Sequence, residues 1–332
     1  MDLSIVIPIY NGSKYIKECL DSITVYSNEL DYEILIIDDG STDDSVLLCE
    51  SYLSKNIRII KNSNHGVSFS RNCGISLATG DYIMFVDIDD KLLNGWSSIV
   101  KDAIKSNSDI VFFSDRYQVD HINKIDIVNT LCGTEVKVSL PWLSSPWSKI
   151  FKRHFLNDNF IRFDELIING EDLIFNLSSI ISCESFSFNS KSIYAYRIVA
   201  TSSTHTFNDK FFDSNIKFLQ KLELELNRFK LSDAIINYYV SRSFINSVYL
   251  LVYRISKIEN AVHRKEKIEY FCNRKEFRDL FNKYKISFSS SLDRIIMFEL
   301  IRRCFYKTAL YIMKFRNLIF EKNKSISSWE KI

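Results

Sequence analysis

Three groups of carboxylates mark where this chain could do chemistry. The first closes the stretch Tyr82-Ile-Met-Phe-Val-Asp87-Ile88-Asp89-Asp90, an apolar run of strand length that ends in three acids. Carboxylates so close together repel one another, and a divalent cation is the simplest remedy. Asp87 and Asp89, one residue apart, can turn toward a single ion if the strand ends there in a tight turn. A solvated acidic loop is the competing reading. The second group, Asp38-Asp39, ends another apolar run, Tyr32-Glu-Ile-Leu-Ile-Ile37. The third, Glu171-Asp172, falls in or just before the first turn of a helix, where the dipole favours acids whether or not they react.

The elements that must position these groups follow from periodicity. Leu3-Ser-Ile-Val-Ile-Pro8-Ile reads as a buried strand turning at Tyr10-Asn11-Gly12, and residues 15, 16, 19, 20 and 23 have helical spacing. Ser41 with Asp44 fits a capping box for the next helix. A third strand, Ile57-Arg-Ile-Ile60, leads through Asn64-His65-Gly66 into a helix over about 67–78. Further on, the pattern predicts a helix over 95–106, a strand at Asp109-Ile-Val-Phe-Phe113, two strand-like pieces near 116–119 and 124–128, and a last strand at Ile193-Tyr194-Ala-Tyr196-Arg197. Alternating strands and helices with short connections imply an α/β fold, a mostly parallel sheet covered by helices on both faces. Ligands of such sheets bind beyond the carboxyl ends of the strands. Three of the first four strand ends carry polar clusters, which converge on that edge as a site.

The 332 residues are 46% hydrophobic and 25% charged, the balance of a soluble globular chain. Seven scattered cysteines without paired spacing predict reduced thiols rather than a disulfide framework or a zinc site. No apolar run reaches the ~18 residues of a membrane span. Asp2 and Ser4 precede a strand-like run rather than the basic and apolar regions of a signal peptide, and the reduced thiols fit a cytoplasmic protein. From residue 207 onward there are 25 Lys and Arg against 14 Asp and Glu, an excess of 11; residues 1–206 hold 18 against 27, a deficit of nine. We therefore divide the chain into 1–206 and a basic helical region, 207–332. In that region Ile301, Phe305, Ile312 and Ile319 share one helical face and Arg303, Lys307 and Lys314 another. Such a helix can lie on an anionic bilayer surface or pack on its own domain. Aromatics there fall at core spacing rather than as a stacking surface, which argues against nucleic acid.

Six elements together carry a resemblance. These are Ser4-Ile-Val-Ile-Pro8, Ile37-Asp38-Asp39-Gly40-Ser41-Thr42-Asp43, Gly66 with Ser70-Arg71-Asn72, Gly80-Asp81-Tyr82-Ile83, Phe85-Val-Asp87-Ile-Asp89-Asp90 and Glu171-Asp172. In order and spacing the chain resembles the family 2 glycosyltransferases of the GT-A (Rossmann-like) fold over roughly residues 3–200. The resemblance implies a nucleotide pocket at Pro8, Tyr10 and Asp39, the last accepting the uracil N–H, with Arg71 facing the diphosphate. Asp87 and Asp89 resemble the DxD motif that holds Mn²⁺ or Mg²⁺, with Ile88 where the family often has something small or polar. Asp172 resembles the general base, with Glu171 orienting it or contacting the acceptor. His65 and Asn72 are secondary neighbours of the diphosphate, Trp147 and Lys149 are expected on the acceptor side, and Arg197 and His205 are expected to close over donor or metal. A tryptophan such as Trp147 serves a core as readily as a sugar ring.

The family inverts at the anomeric centre, so an α-linked UDP-sugar would give a β-glycoside. Its processive synthases carry Gln-x-x-Arg-Trp; the only glutamines here, Gln118 and Gln220, lack that sequel, so a single-addition enzyme is expected. Family habit and the basic region together point to an acceptor such as GlcNAc-diphospho-undecaprenol in O-antigen or capsule repeat-unit synthesis, at the inner face of the cell membrane. A protein, teichoic acid or soluble glycan is the alternative acceptor, with the tail serving oligomerisation. A nucleotidyltransferase lacks support, because the glycine- and lysine-rich N-terminal loop is missing. A binding protein without catalysis sits poorly with intact Asp87, Asp89 and Asp172.

Overall fold

Two seven-residue strands in which every residue is buried, β1 (Leu3–Ile9) and β2 (Tyr32–Asp38), lie side by side inside the sheet, neither at an edge. A strand without a polar face is stable only when helices cover both sides, which is the parallel arrangement seen. The computed structural model describes residues 1–25, 29–116, 122–133, 143–198, 210–284, 291–321 and 328–331. Their elements fall into two compact units, one of residues 1–165, 171–198 and 327–332, the other of residues 166–170 and 199–326. The change of unit near 198 precedes the expected boundary at 206, and each unit borrows a short piece from the other's stretch of chain.

In the first unit, β3 (Ile57–Lys61), β4 (Tyr82–Phe85), β6 (Ile110–Phe113), β7 (Lys149–Lys152) and β8 (Phe186–Asn189) join β1 and β2 in a mixed sheet of order β3-β2-β1-β4-β7-β6-β8. β3, β2, β1 and β4 run parallel. β7 is antiparallel to both β4 and β6, so its start lies beside the end of β4. A small sheet pairs β5 (Lys91–Leu92) and β10 (Ser328–Lys331) with the two sides of β9 (Tyr194–Ile198). The helices are α1 (Ile16–Thr24), α2 (Ser45–Glu50), α3 (Val67–Leu77), α4 (Trp96–Ala103), α5 (Lys124–Leu131), α6 (Arg153–Asp158) and α7 (Glu171–Ser182). α1 and α4 bury Ile16, Cys19, Leu20, Ile23, Trp96 and Val100 in the same core as Ile5, Ile7, Ile34 and Ile36 of the sheet. α3 lies close on β1: a Cβ at Gly74 would come within 2.2 Å of Val6 Cγ1.

Two local expectations need correction. Residues 124–128, expected as a strand-like piece, are the start of α5. A capping box decides it: the Asp126 N–H donates to Asn123 Oδ1 at 3.0 Å and the Asn123 N–H to Asp126 Oδ2 at 3.1 Å. Residues 117–121 and His205 lie outside the described residues. The Ser41–Asp44 capping box does not form; Asp43 instead accepts from the Ser45 N–H at 3.0 Å.

The second unit is helical: α8 (Phe211–Arg228), α9 (Asp233–Ser256), α10 (Ala261–Asn273), α11 (Lys275–Lys283), α12 (Leu292–Arg302) and α13 (Tyr306–Glu321). Phe244 of α9 gathers Phe277, Phe281 and Phe298 around it, with ring centroids 5.0–5.5 Å away. The chain breaks between α12 and α13 at Arg303-Cys304-Phe305, so Ile301 and Phe305 do not share one continuous helix with Ile312. Ile301 is buried and Phe305 exposed. No helix among the described residues is long and apolar enough to cross a membrane.

Candidate active site

The ends of β1 and β2 are tied together through side chain to backbone bonds. Asn11, in the left-handed region at φ 51°, donates its N–H to Ser41 Oγ at 3.0 Å and accepts from the Thr42 N–H at 2.8 Å. The Gly12 N–H donates to Ser45 Oγ at 2.8 Å and the Ser13 N–H to Asp43 at 3.1 Å. Burial alone would raise the Asp43 carboxyl, but these hydrogen bonds from Ser45 and Ser13 hold it at about 2. Asp39 is buried and accepts from two backbone donors, His65 N–H at 2.8 Å and Gly66 N–H at 2.7 Å. That clamp fixes the loop opening α3, where Gly66 at φ +97° takes a conformation suited to glycine. Tyr10 is half exposed beside this cluster, whereas Pro8 is buried in β1. The β1–β4 pairing ends at Val6, two residues before Pro8, which has no N–H to give.

The acid loop after β4 is held by β9. Tyr194 Oη accepts from the Asp87 N–H at 3.1 Å and donates to Asp90 Oδ2 at 2.7 Å, while the Arg197 N–H donates to Asp90 Oδ1 at 2.8 Å. Asp90 is thus turned inward and buried, and burial together with nearby Asp87 pushes its carboxyl up to about 8. Asp87 and Asp89 stay partly exposed, and burial and the Asp87 charge raise Asp89. Ile88, between them, packs over Gly12, where an added Cβ would meet its side chain at 3.0 Å. Arg197 bonds the Asp89 carbonyl through Nε at 2.8 Å and pairs with Glu18. Through these contacts Arg197, expected to close over donor or metal, holds the acid loop in shape.

Arg71 of α3 joins the acid loop to α7. Its guanidinium donates to Asp87 Oδ1 at 3.0 Å and to Asp172 Oδ1 at 2.7 Å, with only 3% of the residue exposed. Below it lies an aromatic floor: the guanidinium carbon sits 5.2 Å from the centroid of Phe163, which stacks on Phe175 at 3.9 Å. Asn72 pins that floor, donating to the Phe163 carbonyl and accepting from its N–H, both at 2.9 Å. Burial opposes the Arg71 charge, but Asp172, Asp87 and Glu171 outweigh it and hold the group firmly protonated. Arg71, expected to face a diphosphate, is buried with both terminal nitrogens engaged by carboxylates. The His65 ring lies against that of Phe69, tilted, with centroids 4.6 Å apart, and bonds Ser63.

Glu171 and Asp172 begin α7. Burial and the charge of Asp172 push Glu171 up to about 8. Burial also raises Asp172, against the pull of Arg71. Lys149, at the start of β7, is buried and donates to the carbonyls of Ser145 and Trp147; burial pushes it down to about 7 against the attraction of Asp172. Trp147 is 3% exposed and stacks on Tyr194 at 4.8 Å and Tyr196 at 5.4 Å, so its indole belongs to the core and is not open to a sugar ring. The structure thus brings together Asp87, Asp89, Arg71, Asp172, Glu171 and Lys149, and adds Tyr194 and Glu18, which the sequence did not single out.

The donor chemistry suits a hard divalent cation in part. Asp87 and Asp89 offer two carboxylates whose mutual repulsion a cation would relieve, and no group of three or more potential ligand side chains occurs among the described residues. A cation such as Mg²⁺ commonly uses one or two carboxylates and completes its shell with substrate phosphates and water.

The chain is similar to known proteins. The family model described as "Glycosyl transferase family 2" matches residues 4–159. Glycosyltransferase GlyA of Streptococcus pneumoniae serotype 4 is 28% identical over 228 residues, covering 63% of this chain and 32% of its own length. The uncharacterized glycosyltransferase EpsJ of Bacillus subtilis is 31% identical over 210 residues, 59% of this chain and 60% of its own. The alignments therefore span from about a third to somewhat under two thirds of these relatives. The crystal structure of S. aureus TarS 1–349 in complex with UDP-GlcNAc shares the fold at a TM-score of 0.59 and 20% identity, covering 95% of this chain and 90% of that one. TarS itself is described as a poly(ribitol-phosphate) β-N-acetylglucosaminyltransferase. Residues 4–159 of the first unit thus match the family 2 glycosyltransferase domain, and the chain shares the fold of the TarS structures.

Proposed function

We propose that this domain is an inverting, single-addition glycosyltransferase that moves a hexose from a UDP-sugar to an acceptor hydroxyl. The observation that carries the reading is Arg71, which holds one carboxylate of the acid loop and one at the start of α7 within the span of a single guanidinium. A donor bound along the acid loop then lies beside the base. Asp172 takes the proton of the acceptor hydroxyl as its oxygen attacks the anomeric carbon, the bond to the UDP oxygen breaks, and UDP leaves. An α-linked donor gives a β-glycoside. Arg71 keeps Asp172 oriented, and Glu171, poised near neutrality, contacts the acceptor. Asp87 and Asp89 would hold Mn²⁺ or Mg²⁺, which as a Lewis acid neutralises charge on the departing diphosphate. Asp39 and Tyr10 are assigned to the uracil; each Asp39 oxygen keeps a lone pair beyond its backbone bond. The UDP-GlcNAc complex of TarS supports the donor class.

The acceptor we propose is a sugar on a lipid diphosphate, such as GlcNAc-diphospho-undecaprenol in O-antigen or capsule repeat-unit synthesis, met at the inner membrane face. A second acceptor, a poly(ribitol-phosphate), is favoured by the likeness to TarS. UDP release from a panel of UDP-sugars, with and without Mn²⁺, separates these readings when each acceptor is supplied in turn. Metal-dependent turnover on the lipid-linked sugar, lost in Asp89→Ala and Asp172→Asn, supports the first. Turnover only on the polyol phosphate supports the second, and no UDP-sugar binding with metal present refutes both.

A further inference from the structure

From Phe211 onward ten large apolar residues are exposed among the described residues, and six of them lie on α12, α13 and the link between the two. α13 packs inward through Tyr306, Ala309, Met313 and Asn317, the last donating to Ser256 of α9 at 3.0 Å. A helix anchored in this way normally shows polar residues outside. Here the outer side carries Tyr311 (75% exposed), Phe315 (60%) and Ile312.

α12 repeats the pattern, with Met297, Phe298 and Ile301 buried while Leu292 (72% exposed) and Ile296, one turn apart, face out. Arg316 near the end of α13 reaches Asp293 at the start of α12, 3.8 Å away, so the two helices run antiparallel. Asp293 lies on the flank of α12 shared with Ile296, and Arg316 on the flank of α13 shared with Ile312. The outer stripes therefore adjoin as one apolar face.

The charge around this face says what covers it. Residues 291–317 hold six basic side chains against two acidic ones, and both acids are already paired: Asp293 with Arg316, Glu299 with Arg302 and Arg303. Lys307 and Lys314, two turns apart on α13 and flanking Tyr311, are exposed and pair with no carboxylate among the described residues. Exposed apolar side chains gathered on one face rather than scattered mark an interaction site. Aromatic and aliphatic side chains bordered by unpaired lysines fit the headgroup boundary of an anionic bilayer, where the rings and the cations are both satisfied. We propose that the outer face of α12 and α13 docks on an anionic lipid surface. This face lies wholly in the second unit and is independent of which acceptor the first unit takes.

The full chain is sedimented with vesicles of phosphatidylcholine alone and of phosphatidylcholine and phosphatidylglycerol in equal parts. Native protein is expected to pellet with the mixed vesicles and to stay free of the neutral ones. Each lysine near such a surface is worth about 1 kcal/mol, about fivefold in partition. The double variant Lys307→Glu, Lys314→Glu therefore lowers binding at least ~25-fold. Ile312→Ser with Phe315→Ser lowers it through the apolar contribution, while the helical circular dichroism of both variants matches native. Equal binding to both vesicles, no binding to either, or binding indifferent to both double variants overturns the proposal. A concentration-dependent oligomer abolished by Ile312→Ser with Phe315→Ser, without lipid binding, assigns the face to a second copy of the chain instead.

Discussion

Replacing Arg71 by methionine keeps most of the volume over Phe163 and removes the charge between Asp87 and Asp172. Those carboxylates, with Glu171 nearby, are then left in a largely desolvated site without a counterion. Breaking a buried pair by removing one partner costs about 3–5 kcal/mol. Asp87 and Asp172 retain 27% and 30% exposure of their side chains, which favours the lower end, about 3 kcal/mol. For a unit of this size that is a fall in Tm of roughly 6–12 °C. The pH dependence identifies the cause. The orphaned carboxyls take up protons more readily folded than unfolded, so the variant's deficit shrinks as pH falls toward 5 and widens toward 8. Thermal unfolding of native and Arg71→Met protein at pH 5 and pH 8, followed by circular dichroism, measures both effects. A loss of Tm below about 2 °C, or one that is the same at both pH values, refutes the account of Arg71 as the counterion of these acids. Arg71→Lys recovers only part of the loss, because an ammonium cannot span both carboxylates as the planar guanidinium does.

Asp172→Asn is expected to lower kcat by about 10²–10⁴ while UDP-sugar affinity, read by calorimetry, stays near native. Tyr194→Phe keeps the ring stacked on Trp147 but strips the Asp87 N–H and Asp90 Oδ2 of their partner, at a cost of about 1–3 kcal/mol; Mn²⁺ titration should show affinity weakened about 10–100-fold if Tyr194 orients the ligand loop. In the native protein Glu171 and Asp90 are both raised to about 8, so the folded state binds more protons than the unfolded chain between about pH 4 and 8, and their contribution to stability falls as pH rises through that window. Denaturant midpoints across the window check the sign. Gly74→Ala drives a methyl into Val6 and should destabilise by about 1–3 kcal/mol, seen in the same midpoints.

The sequence carries the strands and acids legibly where one local rule decides. β1 and β2 are uninterrupted apolar runs, and Asp87, Asp89 and Glu171-Asp172 sit at element ends that any periodicity reading finds. The use to which polar residues are put is less visible, because it depends on partners far along the chain. Arg71 meets Asp172 across 101 positions, and Tyr194 meets Asp90 across 104. Nothing within a window around either residue signals that contact. Trp147 and Lys149 show the same limit, since their burial follows from β7 entering antiparallel beside β4, a pairing that spacing does not encode. In α5 Asn123 and Asp126 spell a capping box, a local helix signal that overrides the strand-like look of residues 124–128. In α13 the apolar pattern is real but two-sided, which is why a single face drawn through Ile301, Phe305 and Ile312 crossed a helix break.

The pairing of β10 with β9 has a consequence for how the chain could be rebuilt. Ser328 lies opposite Ile198 in an antiparallel register, and Arg197, one residue earlier, fixes Asp90 through its backbone. Everything from 199 to 327 is therefore, in topological terms, the loop of a single hairpin. Apart from the short piece 166–170, the helical unit is a guest grafted into a turn of the sheet-bearing unit, entering and leaving at adjacent strand positions. Such a graft can be exchanged at its two adjoining stems without re-registering the strands, so that a short turn, or a helical bundle from another chain, becomes a modular replacement whose success is read directly in the geometry of Asp90.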